Sequence, residues 1–155
     1  GFSVLVLERL DRGEISLDDT VAVSKTAASA PGSTALLDAG ASYRVEDLLR
    51  SAIVASGNDS ATALAEHLAG SEQAFVQLMN ARAAELGMKD TVYVNCTGLP
   101  AAGQQTTARD VAVMTMAMLS YPAYFLPVAV QSYASLRARN GSDQHQPSGA
   151  FLCRL

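Results

Sequence analysis

From Val45 onward apolar residues return at helical intervals, and this periodicity constrains the chain more than any other feature. Val45, Leu48, Leu49, Ala52 and Ile53 follow the i, i+3, i+4, i+7, i+8 pattern of a one-sided helix. Ala61, Leu64, Ala65 and Leu68 repeat it, with Gly70 placed to close that helix in a left-handed conformation. A third stripe, Phe75, Leu78, Met79, Ala83 and Leu86, follows Ser71, with Glu72 in the first turn where the helix dipole favours a negative charge. The first two stripes are separated only by Ser56-Gly57-Asn58, which is too polar and too turn-prone to continue either helix. The chain is therefore expected to fold as a helix-rich body whose helices meet at short, sharp junctions.

The flanking segments add a little sheet. Phe2 to about Leu10 reads as a buried helix that stops at Asp11-Arg12-Gly13, and Ile15 to Asp19 reads as a turn. Val21 to Val23 is a short strand, and Ala30-Pro31-Gly32-Ser33 is a loop marked by its Pro-Gly pair. Thr91-Val92-Tyr93-Val94 alternates like a strand and leads into the turn-rich loop Asn95 to Pro100. Thr107 and Asp110 form a capping box that opens a helix with Ala108, Val111, Met114, Thr115 and Met118 on one side, ended by Tyr121-Pro122. Beyond Phe125 the pattern dissolves, and Arg137 to Pro147 reads as a frayed tail.

Composition excludes several classes of function. With 155 residues, 49% of them hydrophobic, the chain can bury one core and makes one domain or a large piece of one. A net charge of -4 leaves no basic footprint for phosphate neutralisation, so nucleic acid is not an expected partner. No apolar run approaches the ~20 residues that cross a bilayer. Cys96 and Cys153 supply neither a disulfide framework nor a CxxC pair. The chain opens at Gly1 without Met and enters its first helix at once, which reads as a cut end, with any export signal lying upstream.

Ser56-Gly57-Asn58 is the best place for chemistry. A hydroxyl and a carboxamide on a tight break between two helices can face one cleft and serve acyl transfer, the hydroxyl relaying a proton and the amide positioning a carbonyl or a catalytic lysine. Ser and Asn are also favoured helix caps, and on spacing alone the reading as a capped turn prevails. His67 follows Glu66 without a second histidine at HExxH spacing, and His145 lies in the irregular tail, so no zinc site and no Ser-His-Asp triad is expected. His67 reads as an exposed helical residue, and Lys25-Thr26, followed by Ala27 in place of Gly, as a solvated helix start. Met79, Met88, Met114, Met116 and Met118 read as core gap-fillers.

The order and spacing of several stretches resemble serine D-alanyl-D-alanine carboxypeptidases, the low-molecular-mass penicillin-binding proteins. They are Val45-Glu46-Asp47-Leu48-Leu49, Ser56-Gly57-Asn58-Asp59-Ser60-Ala61, Leu64 to Glu72, Phe75-Val76, Met79-Asn80, Ala84 to Thr91, Asn95 to Pro100 and Thr107-Ala108-Arg109-Asp110. So long a colinear match, from about Phe2 to Tyr124, outweighs the capped-turn reading of three residues alone. The resemblance implies an α+β fold of the penicillin-binding protein and β-lactamase type, of which this chain is mostly the helical region with a few short strands.

It also implies chemistry. The family uses a Ser-x-x-Lys pair, a Ser-x-Asn motif and a Lys-Thr-Gly strand, and only the middle one stands here. Leu7-Glu8 resembles the end of the family's active-site helix, which puts the nucleophilic serine and its lysine upstream of Gly1. The implied activity is hydrolysis of the terminal D-alanine from peptidoglycan stem peptides, with Ser56 and Asn58 as both catalytic and substrate-binding residues, no cofactor and no metal. The chain by itself would be inactive. β-Lactams would bind the full-length protein, which would lie on the extracytoplasmic face of the bacterial envelope, any membrane anchor falling outside this stretch. A serine β-lactamase is the nearest enzyme alternative, but such enzymes usually carry Ser-Asp-Asn where Gly57 stands, and Asn95 to Gln105 holds no acidic residue that could deacylate. A non-catalytic helical remnant that binds cell-wall peptide is the alternative from another class.

The resemblance divides the chain into residues 1–124, a partial carboxypeptidase domain, and 125–155, an atypical tail. Relatives commonly carry Thr-Asn-Thr-Asn-Arg-Leu after this point. Codons for Asp143 to Gly149, read one nucleotide later, permit that hexapeptide. The expectation is a shift of frame between Phe125 and Asp143, which the nucleotide sequence decides.

Overall fold

The computed structural model describes residues 1–124. The expectations for the tail from Phe125, its reading frame, His145 and Cys153 included, lie outside the described residues. Eight elements follow one another: α1 Phe2–Asp11, β1 Thr20–Ala22, α2 Lys25–Ala28, β2 Ser42–Arg44, α3 Val45–Val54, α4 Asn58–Ala69, α5 Glu72–Glu85 and α6 Ala108–Leu119. The strands β1 and β2 pair antiparallel with Val21 opposite Tyr43. They lie at the base of α3, whose first amides are satisfied by the turn before β1: Val45 N–H donates to Asp19 O at 2.8 Å and Glu46 N–H to Leu17 O at 3.0 Å.

Helix α4 is the axis of the molecule and packs against α2, α3, α5 and β1. The sequence predicts a one-sided stripe for it. Instead every residue from Asn58 to Ala65 is buried, the polar Asp59, Ser60 and Thr62 included. The reason is side-chain size: Ser60, Ala61, Thr62, Ala63 and Ala65 let neighbouring elements approach from all sides, and a helix enclosed in this way loses its solvent face. Around it lie Leu7, Val21, Val45, Leu48, Leu49 and Phe75, each at most 1% exposed. Phe2 and Phe75 meet with ring centroids 5.8 Å apart, joining α1 to α5. The same two helices are tied by Arg82, whose Nε and Nη2 reach Oε1 of the buried Glu8 at 2.8 and 2.7 Å.

Three further expectations are corrected. Leu78 stands at the exposed edge of α5, while Phe75, Val76, Met79 and Ala83 are buried, so the stripe runs through Val76 and not Leu78. Thr91 to Val94 forms no strand: Val92 makes a single bridge with Gln105, and the backbone of Tyr93 is satisfied at both ends by the Asn80 carboxamide, each bond 2.8 Å. One side chain thus takes the place of a partner strand. In α6 the inward face is Asp110, Met114, Ala117 and Met118, and Val111 and Thr115 face outward with Met116, so the register is one residue away from the expected stripe. Buried Asp110 sets it. Thr107 Oγ1 accepts from Asp110 N–H at 3.2 Å as a capping box requires, but the Asp110 carboxylate does not return to Thr107. It takes Asp90 N–H at 2.9 Å and Thr91 Oγ1 at 2.7 Å, rotating α6 to keep that contact inside. Met116 is correspondingly no core gap-filler, being 69% exposed.

Candidate active site at the junction of two helices

The junction between α3 and α4 takes its shape from three consecutive residues with three different tasks. Ser56 lies just past the end of α3 in the left-handed region, φ +53°, where a residue with a side chain is strained. Gly57 turns the chain back: its amide donates to Ser51 O at 3.1 Å and its carbonyl accepts the first bond of α4, from Ala61 at 3.0 Å. A Cβ on Gly57 would lie 2.3 Å from Ser51 Oγ, an atom held by the Ser60 hydroxyl at 2.8 Å. Glycine is required here by a close approach. Asn58 opens α4.

Sequence reasoning puts the Ser56 and Asn58 side chains in one cleft, and the structure gives them different settings two residues apart. Ser56 is exposed and its hydroxyl makes no hydrogen bond among the described residues. Asn58 is buried: Nδ2 donates to Pro31 O at 2.7 Å and its backbone amide to Ser33 O at 2.7 Å. One half of the carboxamide is thus committed to the loop before β2, and Oδ1 accepts nothing among the described residues. Gly32, at φ +85°, completes this contact, since a Cβ there would meet Asn58 Nδ2 at 2.7 Å and Leu99 Cδ2 at 3.4 Å. Leu99 therefore brings the Asn95–Pro100 loop to the same place. That loop is stitched by amides: Asn95 Nδ2 and Gln104 Nε2 both donate to Leu99 O, at 2.8 and 2.7 Å.

A residue that sequence reasoning does not single out stands next to this pair. Asp59 is fully buried, and its carboxylate accepts from Ala35 N–H at 3.0 and 2.9 Å, Leu37 N–H at 3.1 Å and Ser60 N–H at 2.8 Å. An acid in the first turn of a helix is ordinary. The signal that sets Asp59 apart, donors 22 to 24 residues upstream, exists only in three dimensions.

The remaining candidates are not part of the site. His67 is exposed on α4, as expected for a solvated helical residue. Lys25 starts α2 behind the Ser24 cap, whose hydroxyl accepts from Ala27 N–H. Cys96 is buried, its amide donating to Glu72 Oε1 at 3.0 Å; burial, reinforced by the Glu72 charge, pushes its thiol up to about 12, so it carries no thiolate nucleophile near neutrality. Among the described residues no three His, Cys, Asp or Glu side chains are grouped to hold a metal ion. The groove between α1 and α5 is rich in arginine, but Arg9, Arg12 and Arg82 are paired there with Glu8, Glu14 and Glu85.

Ser56-Gly57-Asn58 thus presents an exposed hydroxyl and a half-committed carboxamide on a glycine-sharpened turn. A sequence model of D-alanyl-D-alanine carboxypeptidases matches residues 2–147. The chain belongs to that family. It is 42% identical over 118 residues to the D-alanyl-D-alanine carboxypeptidase DacF of Bacillus subtilis, a match covering 76% of this chain and 30% of the relative. The crystal structure of the carboxypeptidase DacD from Francisella tularensis superposes with a TM-score of 0.75 at 38% identity, covering 82% of this chain and 30% of that one. Penicillin binding protein 5 from Haemophilus influenzae gives a TM-score of 0.73 at 34% identity, covering 77% and 36%. The chain thus spans about a third of the length of these carboxypeptidase relatives. Its fold is part of the penicillin-binding protein fold, mostly helical with two short strands, as the resemblance implies.

Proposed function

We propose that the full-length protein is a serine-type D-alanyl-D-alanine carboxypeptidase of the bacterial cell envelope, acting on peptidoglycan stem peptides and acylated by β-lactams. Its nucleophilic serine, the accompanying lysine and the Lys-Thr-Gly strand lie outside these 155 residues. In this reading the nucleophile's oxygen attacks the penultimate D-alanine carbonyl, the terminal D-alanine leaves with a proton on its amine, and water hydrolyses the ester. Ser56 passes the proton toward the leaving amine. Asn58, with its carboxamide fixed on one side by Pro31, offers Oδ1 to an N–H donor, either a substrate amide or the lysine ammonium. The observation that carries this reading is the Ser56 hydroxyl, held exposed and, among the described residues, without a partner on a strained turn in a chain of this family. A residue that only capped a helix would spend its oxygen on an amide.

A β-lactamase is the weaker reading. An aspartate in place of Gly57, as in the usual Ser-Asp-Asn, would drive its Cβ into Ser51 Oγ, so this junction is built around glycine. The test is made in the full-length protein. Ser56→Ala and Asn58→Ala each lower turnover of a D-Ala-D-Ala peptide by about 100-fold or more, as the loss of a positioned acid/base or hydrogen-bonding group does, while His67→Ala leaves it nearly unchanged. Equal losses for all three would show that the motif does not carry the chemistry.

A further inference from the structure

We infer that Asp59 is a positioning residue of this site: its buried carboxylate locks the Pro31–Leu37 loop onto the start of α4, and the locked loop fixes the Asn58 carboxamide. The inference rests on the carboxypeptidase reading of Asn58 but adds a residue to which that reading gives no role.

The hydrogen bonds of the loop make the case. Among the described residues, every bond formed by Pro31 to Leu37 ends on Asn58 or Asp59: Pro31 O and Ser33 O accept from Asn58, and Ala35 and Leu37 donate to Asp59. Among the described residues, only the Leu37 side chain of this loop adds an apolar anchor to the core. The loop therefore has little means of holding its own shape. Its backbone is strained at Leu36, φ +59°, between the two amides that converge on the carboxylate, and the Leu36 side chain is turned out to solvent, 79% exposed. A leucine keeps such a conformation only where its surroundings over-determine it. Two charge-assisted bonds to a fully buried carboxylate are what does so here.

A helix-capping role alone does not account for this. Capping α4 requires only the bond from Ser60 N–H, and an acid at this position could leave its remaining oxygen to water. Asp59 instead lies away from solvent and, apart from a 3.4 Å bond from the Ser60 hydroxyl, spends its other bonds on a loop 22 to 24 residues upstream, the same loop that takes the Asn58 Nδ2 proton. If the loop loosens, Pro31 O leaves Nδ2 and the carboxamide is free to turn, so the cost falls on the reaction through Asn58.

Two measurements on the full-length protein test this. In the unmodified protein the Ala35 and Leu37 amides, although in an exposed loop, exchange with deuterium at least about 100-fold more slowly than free loop amides, and Asp59→Asn removes that protection while the amides of α4 keep theirs. In steady-state kinetics Asp59→Asn lowers kcat/KM for a D-Ala-D-Ala peptide about 10-fold, yet less than about 2-fold in an Asn58→Ala background, since the two residues act as one unit. Unprotected amides in the parent, or an Asp59→Asn loss of the same factor in both backgrounds, would overturn the inference; the latter is what general destabilisation produces. Should Asp59→Asn fail to fold, the protection of the two amides in the parent still decides. A parent without peptidase activity would overturn the proposed function, and the exchange measurement would then separately decide whether Asp59 locks the loop.

Discussion

Ser56 combines exposure with a left-handed backbone, and the two together separate its structural cost from its chemical use. At φ +53° a side chain costs about 1 kcal/mol that glycine does not incur. Ser56→Gly is accordingly expected to leave stability unchanged or raised, and Ser56→Ala to be less stable than Ser56→Gly by about 1 kcal/mol, read from the urea midpoints of the two variants. Both lose the hydroxyl, so both lose its share of turnover in the full-length protein. Equal stability of the alanine and glycine forms would mean that the turn is not held left-handed in solution.

The junction between α3 and α4 behaves as an element in its own right, held by the Ser51–Ser60 hydroxyl pair across Gly57. Adding a methyl group there forces Ser51 Oγ aside and breaks that pair. Gly57→Ala should destabilise by about 1 to 3 kcal/mol, as overpacking does, and Ser51→Ala in the same chain should restore part of the loss by removing the obstructing oxygen. Thermal unfolding of the two single variants and the double variant reads the coupling, and strict additivity would show that the contact is not the cause. Between α1 and α5 the important pair is Glu8 and Arg82. Removing the arginine leaves a buried carboxylate uncompensated. Arg82→Ala is expected to cost about 3 to 5 kcal/mol, and Glu8→Leu combined with Arg82→Leu markedly less, in chemical denaturation.

At the scale of the whole molecule, the 155 residues hold the helical wall of a site whose other parts stand elsewhere in the full-length protein, in the proposed reading. Neither Lys25 nor Lys89 has a serine three residues before it. A polypeptide of these residues alone should therefore form no penicilloyl adduct, which intact-mass spectrometry after incubation with a β-lactam reads directly. An adduct on any of its serines would show that the nucleophile is present after all.

The helices from Val45 to Leu86, the break at Ser56-Gly57-Asn58 and the family itself are legible in the sequence, because local periodicity, turn chemistry and colinear motifs are properties of neighbouring residues. Tertiary structure alone decides the rest. Small side chains enclose α4 on all sides from Asn58 to Ala65 where its pattern reads as one-sided, and a buried Asp110 turns α6 one residue away from its apolar stripe. Asn80 replaces a strand partner for Tyr93. Asp59 looks like any first-turn acid until the Pro31–Leu37 loop is seen folded onto it. In the last three cases a polar group must find its partner inside the protein, and which group that is depends on the packing of segments far apart in the chain.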